Sequence, residues 1–88
     1  MEYVIEKAKE DLAQRLSILV TQIDLIEAVK VVWPDGCLGC PQPEMGCTLM
    51  VEDGYRIQLE FDGTIYEYHS GMGTHLTYCE NPGSPIIF

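Results

Sequence analysis

The chain has 88 residues, 47% of them hydrophobic, which suits one domain with a modest core and argues against intrinsic disorder. Fourteen acidic residues against five lysines and arginines give a formal net charge of −9, which disfavours nucleic acid and anionic membrane surfaces as partners. An acidic surface of this kind suits solubility or a basic partner.

The first segment, residues 2–17, is predicted to form an amphipathic helix. Its apolar residues recur at steps of three and four and line one side, namely Val4, Ile5, Ala8, Leu12, Ala13 and Leu16. Asp11 and Arg15 lie four residues apart, a spacing at which a carboxylate and a guanidinium pair on a helix surface. A helix with one apolar side needs a second layer to cover it.

A change to a period of two after residue 22 predicts a sheet. The predicted strands are residues 23–33, 47–51, 55–61, 64–69 and 75–80, followed by a tail at 81–88. In the first strand we expect the alternate apolar residues from Leu25 to Trp33 to share one face. Asp53-Gly54 is predicted to be a turn, and residues 70–74 a flexible connection.

Asp62-Gly63 between two alternating runs favours a two-residue hairpin with a type I′ turn. Such a turn fixes the register of the strands that it joins, with Phe61 opposite Thr64 and Arg56 opposite His69. Because side chains alternate along a strand, this register predicts that His69 points away from the face that the helix covers.

Together the elements predict a single α+β domain over residues 1–88. One N-terminal helix packs on an antiparallel sheet of about four strands, and a long Pro/Gly/Cys loop follows the first strand. The helix can cover only one face of the sheet. We therefore expect the loop to cover part of the other face.

The loop from Trp33 to Cys47 carries most of the chemistry. It holds three cysteines, three prolines and three glycines in fifteen residues, and such long loops in small domains are usually functional or disordered. Zinc binding is one interpretation, because Cys37 and Cys40 have the short spacing of zinc ligands. The candidate ligands are Cys37, Cys40, Cys47, Cys79 and His69, with His75 as a further histidine.

Two other interpretations of the cysteines stay open. Cys37 and Cys40 could cycle between dithiol and disulfide, although the prolines that follow them oppose the helix that usually lowers a thiol pKa. In the structural interpretation the cysteines pack as small apolar groups, and no residue is catalytic. The loop anchors would then be Trp33, Asp35, Pro41 and His69, with His69 bonding to loop carbonyls.

Three motifs resemble a family of small uncharacterised bacterial domains. They are Trp33-Pro34-Asp35-Gly36-x-Leu38-Gly39-Cys40-Pro41-x-Pro43, Gly54-Tyr55-Arg56-Ile57 and Tyr66-x-Tyr68-His69, followed by a late Cys79. The resemblance runs from about residue 8 to residue 80, and it implies a fold and a site rather than an activity. Relatives often have serine at position 37 and an aromatic residue near 47. The resemblance therefore gives Cys40 and Cys79 the greater weight and implies a disulfide between them.

We therefore expect a small soluble acidic domain that is not an enzyme and whose structural Cys/Pro loop presents a binding surface. A zinc-binding or thiol-redox protein is the alternative, and zinc is the one cofactor that the residues suggest. The partner is not predictable, although a homo-oligomer could form through a sheet edge or the tail Ile86-Ile87-Phe88. The N-terminus lacks the basic region and apolar run of a signal peptide, so a cytoplasmic location is expected.

Overall fold

The computed structural model describes residues 2–33, 38, 51–71 and 76–79. Its elements are helix α1 (Glu2–Leu16), a 3-10 turn (Val20–Gln22) and strands β1 (Asp24–Trp33), β2 (Glu52–Phe61), β3 (Thr64–Gly71) and β4 (Leu76–Cys79). The strands form one antiparallel sheet in the order β1-β2-β3-β4. The predicted α+β class, with one N-terminal helix on a four-stranded antiparallel sheet, is confirmed.

Helix α1 packs its apolar stripe against one face of the sheet. Ala8 and Leu12 are buried there against Ile57, Leu59 and Tyr68. The helix ends one residue before its predicted boundary, since the next residue is left-handed with φ of 56°. In the part of the chain that the structure describes, no helix is long and apolar enough to cross a membrane.

The apolar side chains of strand β1 do not all lie on one face of the sheet, so the predicted alternation from Leu25 to Trp33 is wrong. A β-bulge lies between Leu25 and Glu27, and it adds a residue to β1 relative to β2. Leu25 therefore pairs with the core residue Leu59, whereas Val29 pairs with Arg56 on the opposite face. The apolar residues of β1 thus divide between the two faces of the sheet.

Strand β2 begins at Glu52, so the predicted turn at Asp53-Gly54 is wrong and so is the predicted start at residue 55. Gly54 instead pairs with Val31 on one side and Gly71 on the other. Of the strand predicted at 47–51, only Val51 is described, and it is not in a strand. β3 continues to Gly71, two residues beyond its predicted end, and the tail at 81–88 lies outside the described residues.

The β2–β3 hairpin has the predicted register. Asp62 and Gly63 both have positive φ, 51° and 82°, as a type I′ turn requires. Phe61 pairs with Thr64, and Arg56 pairs with His69. His69 therefore lies on the sheet face opposite helix α1, as predicted.

A polar contact joins the helix to the sheet beside the core. The Tyr68 hydroxyl donates to Asp11 Oδ2 at 2.7 Å, and Arg15 Nε donates to the same oxygen at 2.5 Å. Burial raises the pKa of the Asp11 carboxyl, but these two hydrogen bonds outweigh it and leave the pKa below the ordinary value of 3.8. Arg15 also lies over the Tyr78 ring, 4.8 Å from its centroid.

Asp11→Asn is expected to lower the free energy of unfolding near neutral pH and to leave it almost unchanged in strong acid. A carboxyl whose pKa is lowered by folding stabilises the protein above its ordinary pKa, and the effect is lost as the pH falls through the folded value. The difference between wild type and variant should therefore shrink below about pH 4. Urea unfolding at several pH values measures it. Asp24→Asn, at an exposed acid of β1, is the matched control, and a pH-independent difference would contradict the expectation.

Candidate functional site on the sheet face opposite the helix

The centre of this face is a fully buried pair of rings, Trp33 and His69. Trp33 is the last residue of β1, and its indole stacks on the imidazole with ring centroids 4.2 Å apart and an angle of 26°. The indole Nε1–H donates to the main-chain carbonyl of Ser70 at 3.0 Å. The tryptophan therefore fixes the ring of His69 and satisfies a buried carbonyl of β3 at the same time.

Two glycines make room for these contacts. A Cβ on Gly54 would collide with the Ser70 carbonyl oxygen and would lie 2.8 Å from the Trp33 Nε1 atom. A Cβ on Gly71 would collide with the Glu52 carboxylate. Gly54 therefore requires glycine because a main-chain carbonyl approaches it closely, whereas at Gly71 the Glu52 side chain would have to move; the sequence pattern suggested a turn and a flexible connection at these positions.

Each ring nitrogen of His69 faces an acceptor. Nδ1 lies 2.7 Å from the main-chain carbonyl oxygen of Leu38, and Nε2 lies 2.5 Å from the Glu67 carboxylate. A carbonyl oxygen can only accept, so Nδ1 carries the N–H that donates to Leu38, and Nε2 is engaged by the Glu67 carboxyl group. With both nitrogens engaged in hydrogen bonds, neither offers a free lone pair to a metal ion.

Leu38 is the one residue between Trp33 and Val51 that the structure describes, and it lies on this face. Its side chain is 1% exposed, and a left-handed φ of 56° accompanies its carbonyl contact with His69. Buried leucine and a hydrogen-bonded carbonyl together fix the chain at this point against the sheet. The prediction that His69 bonds to a loop carbonyl agrees with this geometry.

Cys79 lies on the same face and is disulfide-bonded. It is 2% exposed, and its register partner on β3 is Glu67, the residue that contacts His69. The other predicted site residues lie outside the described part of the chain, namely Asp35, Cys37, Cys40, Pro41, Cys47 and His75. Among the described residues, no group of three or more His, Cys, Asp or Glu side chains is placed to hold a metal ion.

The sequence analysis assigned no role to Glu67 and so missed its contact with His69. Its Oε1 accepts from Gln58 Nε2 at 3.0 Å while its Oε2 contacts His69. On the same face Arg56, the register partner of His69, forms an ion pair with Glu27 at 2.9 Å. The hairpin register could have found Glu67, because it lies two residues from His69 on the same strand and face.

Comparisons with known proteins identify a family but no activity. A family model described as a domain of unknown function, DUF8738, matches residues 5–79. No curated protein and no solved structure is significantly similar to the chain. The matched range includes Trp33, His69 and Cys79, the three site residues discussed above.

Proposed function

Because the chain belongs to the DUF8738 family of domains of unknown function, we propose a role from the site alone: a non-enzymatic domain whose Cys/Pro loop is fixed to the sheet and presents a binding surface. The proposal includes no catalytic residue and no cofactor. Trp33 and His69 serve as anchors of the loop, and the loop supplies the contacts with a partner.

The observation that carries this proposal is the contact of Leu38 with the sheet. Its side chain is buried and its carbonyl is held by His69, whose own ring is stacked on Trp33. A loop that is held in place before binding loses less conformational entropy when a partner arrives. Binding residues are also commonly carried on loops that a rigid scaffold positions.

The disulfide at Cys79 supports the same role. We propose Cys40 as its partner, because the family resemblance gives weight to this pair over Cys37 and Cys47. A cross-link from the loop to β4 would hold the loop at a second point beyond Leu38. Two points of attachment on one face restrict the loop more than either does alone.

The zinc and thiol-redox alternatives have less support. A sulfur in a disulfide is not the thiolate that zinc binds, and Cys79 is in a disulfide. His69 uses both ring nitrogens in hydrogen bonds. The predicted redox pair, Cys37 and Cys40, lies outside the described residues, and a disulfide between Cys40 and Cys79 would take Cys40 away from that pair.

The disulfide also bears on location. Structural disulfides persist in oxidising compartments and are rare in the cytosol. We therefore propose that the domain works in an oxidising compartment, in contrast to the cytoplasmic location expected from the sequence. Alkylation of thiols in intact cells tests this proposal. A reduced Cys79 in the native host would contradict it and favour the cytoplasmic location expected from the sequence.

The experiment on the site is a thiol count, metal analysis and peptide mapping of protein purified without reductant or added metal. We expect no stoichiometric metal, a Cys40–Cys79 cross-linked peptide, and two free thiols at Cys37 and Cys47. Cys47→Ser is the control and should keep the cross-link. About one zinc per chain that Cys40→Ser removes would overturn the proposal in favour of a metal site. A link from Cys79 to Cys37 or Cys47 would overturn the proposed pairing.

A further inference from the structure

Among the described strands, β1 lies at one end of the sheet, and the start of its outer edge is exposed. Residues 24–27 are all exposed, and they include Leu25 at 43% and Ile26 at 49%. Sheets usually protect such an edge with lysine, proline or a covering segment. We call residues 24–27 the β1 edge patch. Leu19 and Val20, in the turn before the strand, add further exposed apolar surface at 68% and 40%.

The charges around the β1 edge patch are acidic. Asp24 and Glu27 belong to the patch, Glu60 pairs with Asp24 on β2, and Asp62 lies in the adjoining hairpin turn. The nearest cation in the register, Arg56, is already paired with Glu27. Asp24 and Glu60 have no ion-pair partner among the described residues, and exposed leucine and isoleucine beside these carboxylates match a partner that is both apolar and basic.

From this surface we propose that the β1 edge patch binds an extended, lysine- or arginine-containing segment of another protein. Main-chain groups of the edge would pair with the segment, its apolar residues would cover Leu25 and Ile26, and its cations would meet Asp24 and Glu60. Ile26 is the residue that the β-bulge adds to β1, and because a bulge interrupts regular pairing, it limits the length of a segment that pairs with this edge.

A second copy of the chain is a poorer occupant. Edge-to-edge pairing of two copies would bring Asp24 and Glu27 of both into one interface. Each copy also carries a net charge of −9, which adds long-range repulsion. Glu27 of the patch contacts Arg56, the register partner of His69, but the proposed contacts are with Leu25, Ile26 and the acids at the hairpin end of the strand, so the proposal does not depend on the proposed role of the loop.

A titration followed by amide chemical shifts tests the proposal. The probe is a capped seven-residue peptide of alternating lysine and valine, and the matched control peptide has glutamate in place of lysine. We expect saturable shifts at residues 24–27 with the lysine peptide, at least tenfold weaker binding in 0.5 M salt, and no saturation with the glutamate peptide. Ile26→Lys should weaken binding at least tenfold, whereas Val51→Lys, at a 62% exposed position elsewhere, should not.

Several results would overturn the proposal. They are equal binding of the two peptides, shifts that avoid residues 24–27, and a concentration-dependent dimer that Ile26→Lys abolishes. Circular dichroism of each variant confirms that it is folded. Cys79→Ala separates this proposal from the loop proposal, because loss of the cross-link should leave peptide binding at the β1 edge patch unchanged.

Discussion

Trp33→Ala is expected to lower the free energy of unfolding by about 3–5 kcal/mol, the range for truncating a fully buried large aromatic side chain. Three losses combine in this variant. The buried indole leaves a cavity, the ring of His69 loses its stacking partner, and the Ser70 carbonyl loses its hydrogen-bond donor. Urea unfolding followed by far-ultraviolet circular dichroism measures the change.

Trp33→Phe separates these contributions. Phenylalanine keeps an aromatic ring beside His69 but has no N–H, so the Ser70 carbonyl stays buried without its donor, at a cost of about 1–3 kcal/mol. Val51→Ala, at an exposed position, is the control and should change stability by less than about 0.5 kcal/mol. If Trp33→Ala cost no more than Val51→Ala, the indole could not be an anchor of the loop.

The side of the sheet that carries this site could be predicted from the sequence, because a local signal determines it. Asp62-Gly63 specifies a two-residue turn, and the turn sets which residues of β2 and β3 are opposite each other. His69 is thereby placed on the face opposite the helix without any knowledge of long-range contacts. The prediction that Trp33 lies at the base of the loop depends in the same way on its position at the end of a strand.

The contacts within the site could not be predicted in this way, because they depend on residues far apart in sequence. Gly54 follows Asp53 in a pair that normally marks a turn. Here it lies inside β2, since the Trp33 indole and the Ser70 carbonyl approach its main chain closely. The bulge in β1 is likewise a property of the β1–β2 pairing, and no residue type at positions 25–27 signals it.

Reduction of the disulfide at Cys79 is expected to lower the free energy of unfolding by about 3–4 kcal/mol. In the chain-entropy model the effect depends weakly on loop length, and the closed loop has roughly 30 to 45 residues whichever loop cysteine is the partner. The expected loss of stability is therefore nearly the same whichever loop cysteine is bonded to Cys79. A loss of this size is a large part of the stability of a small domain.

Trp33 is the only tryptophan of the chain, so its fluorescence reports directly on the loop site. We expect reduction to change its emission at denaturant concentrations where the far-ultraviolet signal of the sheet is still native, because the contact of Leu38 with His69 then lacks its cross-link. Cys79→Ala without reductant should match reduced wild type, and reductant should have no further effect on that variant. If reductant lowered the stability of both proteins equally, the cross-link at Cys79 would not be what holds the loop to the sheet.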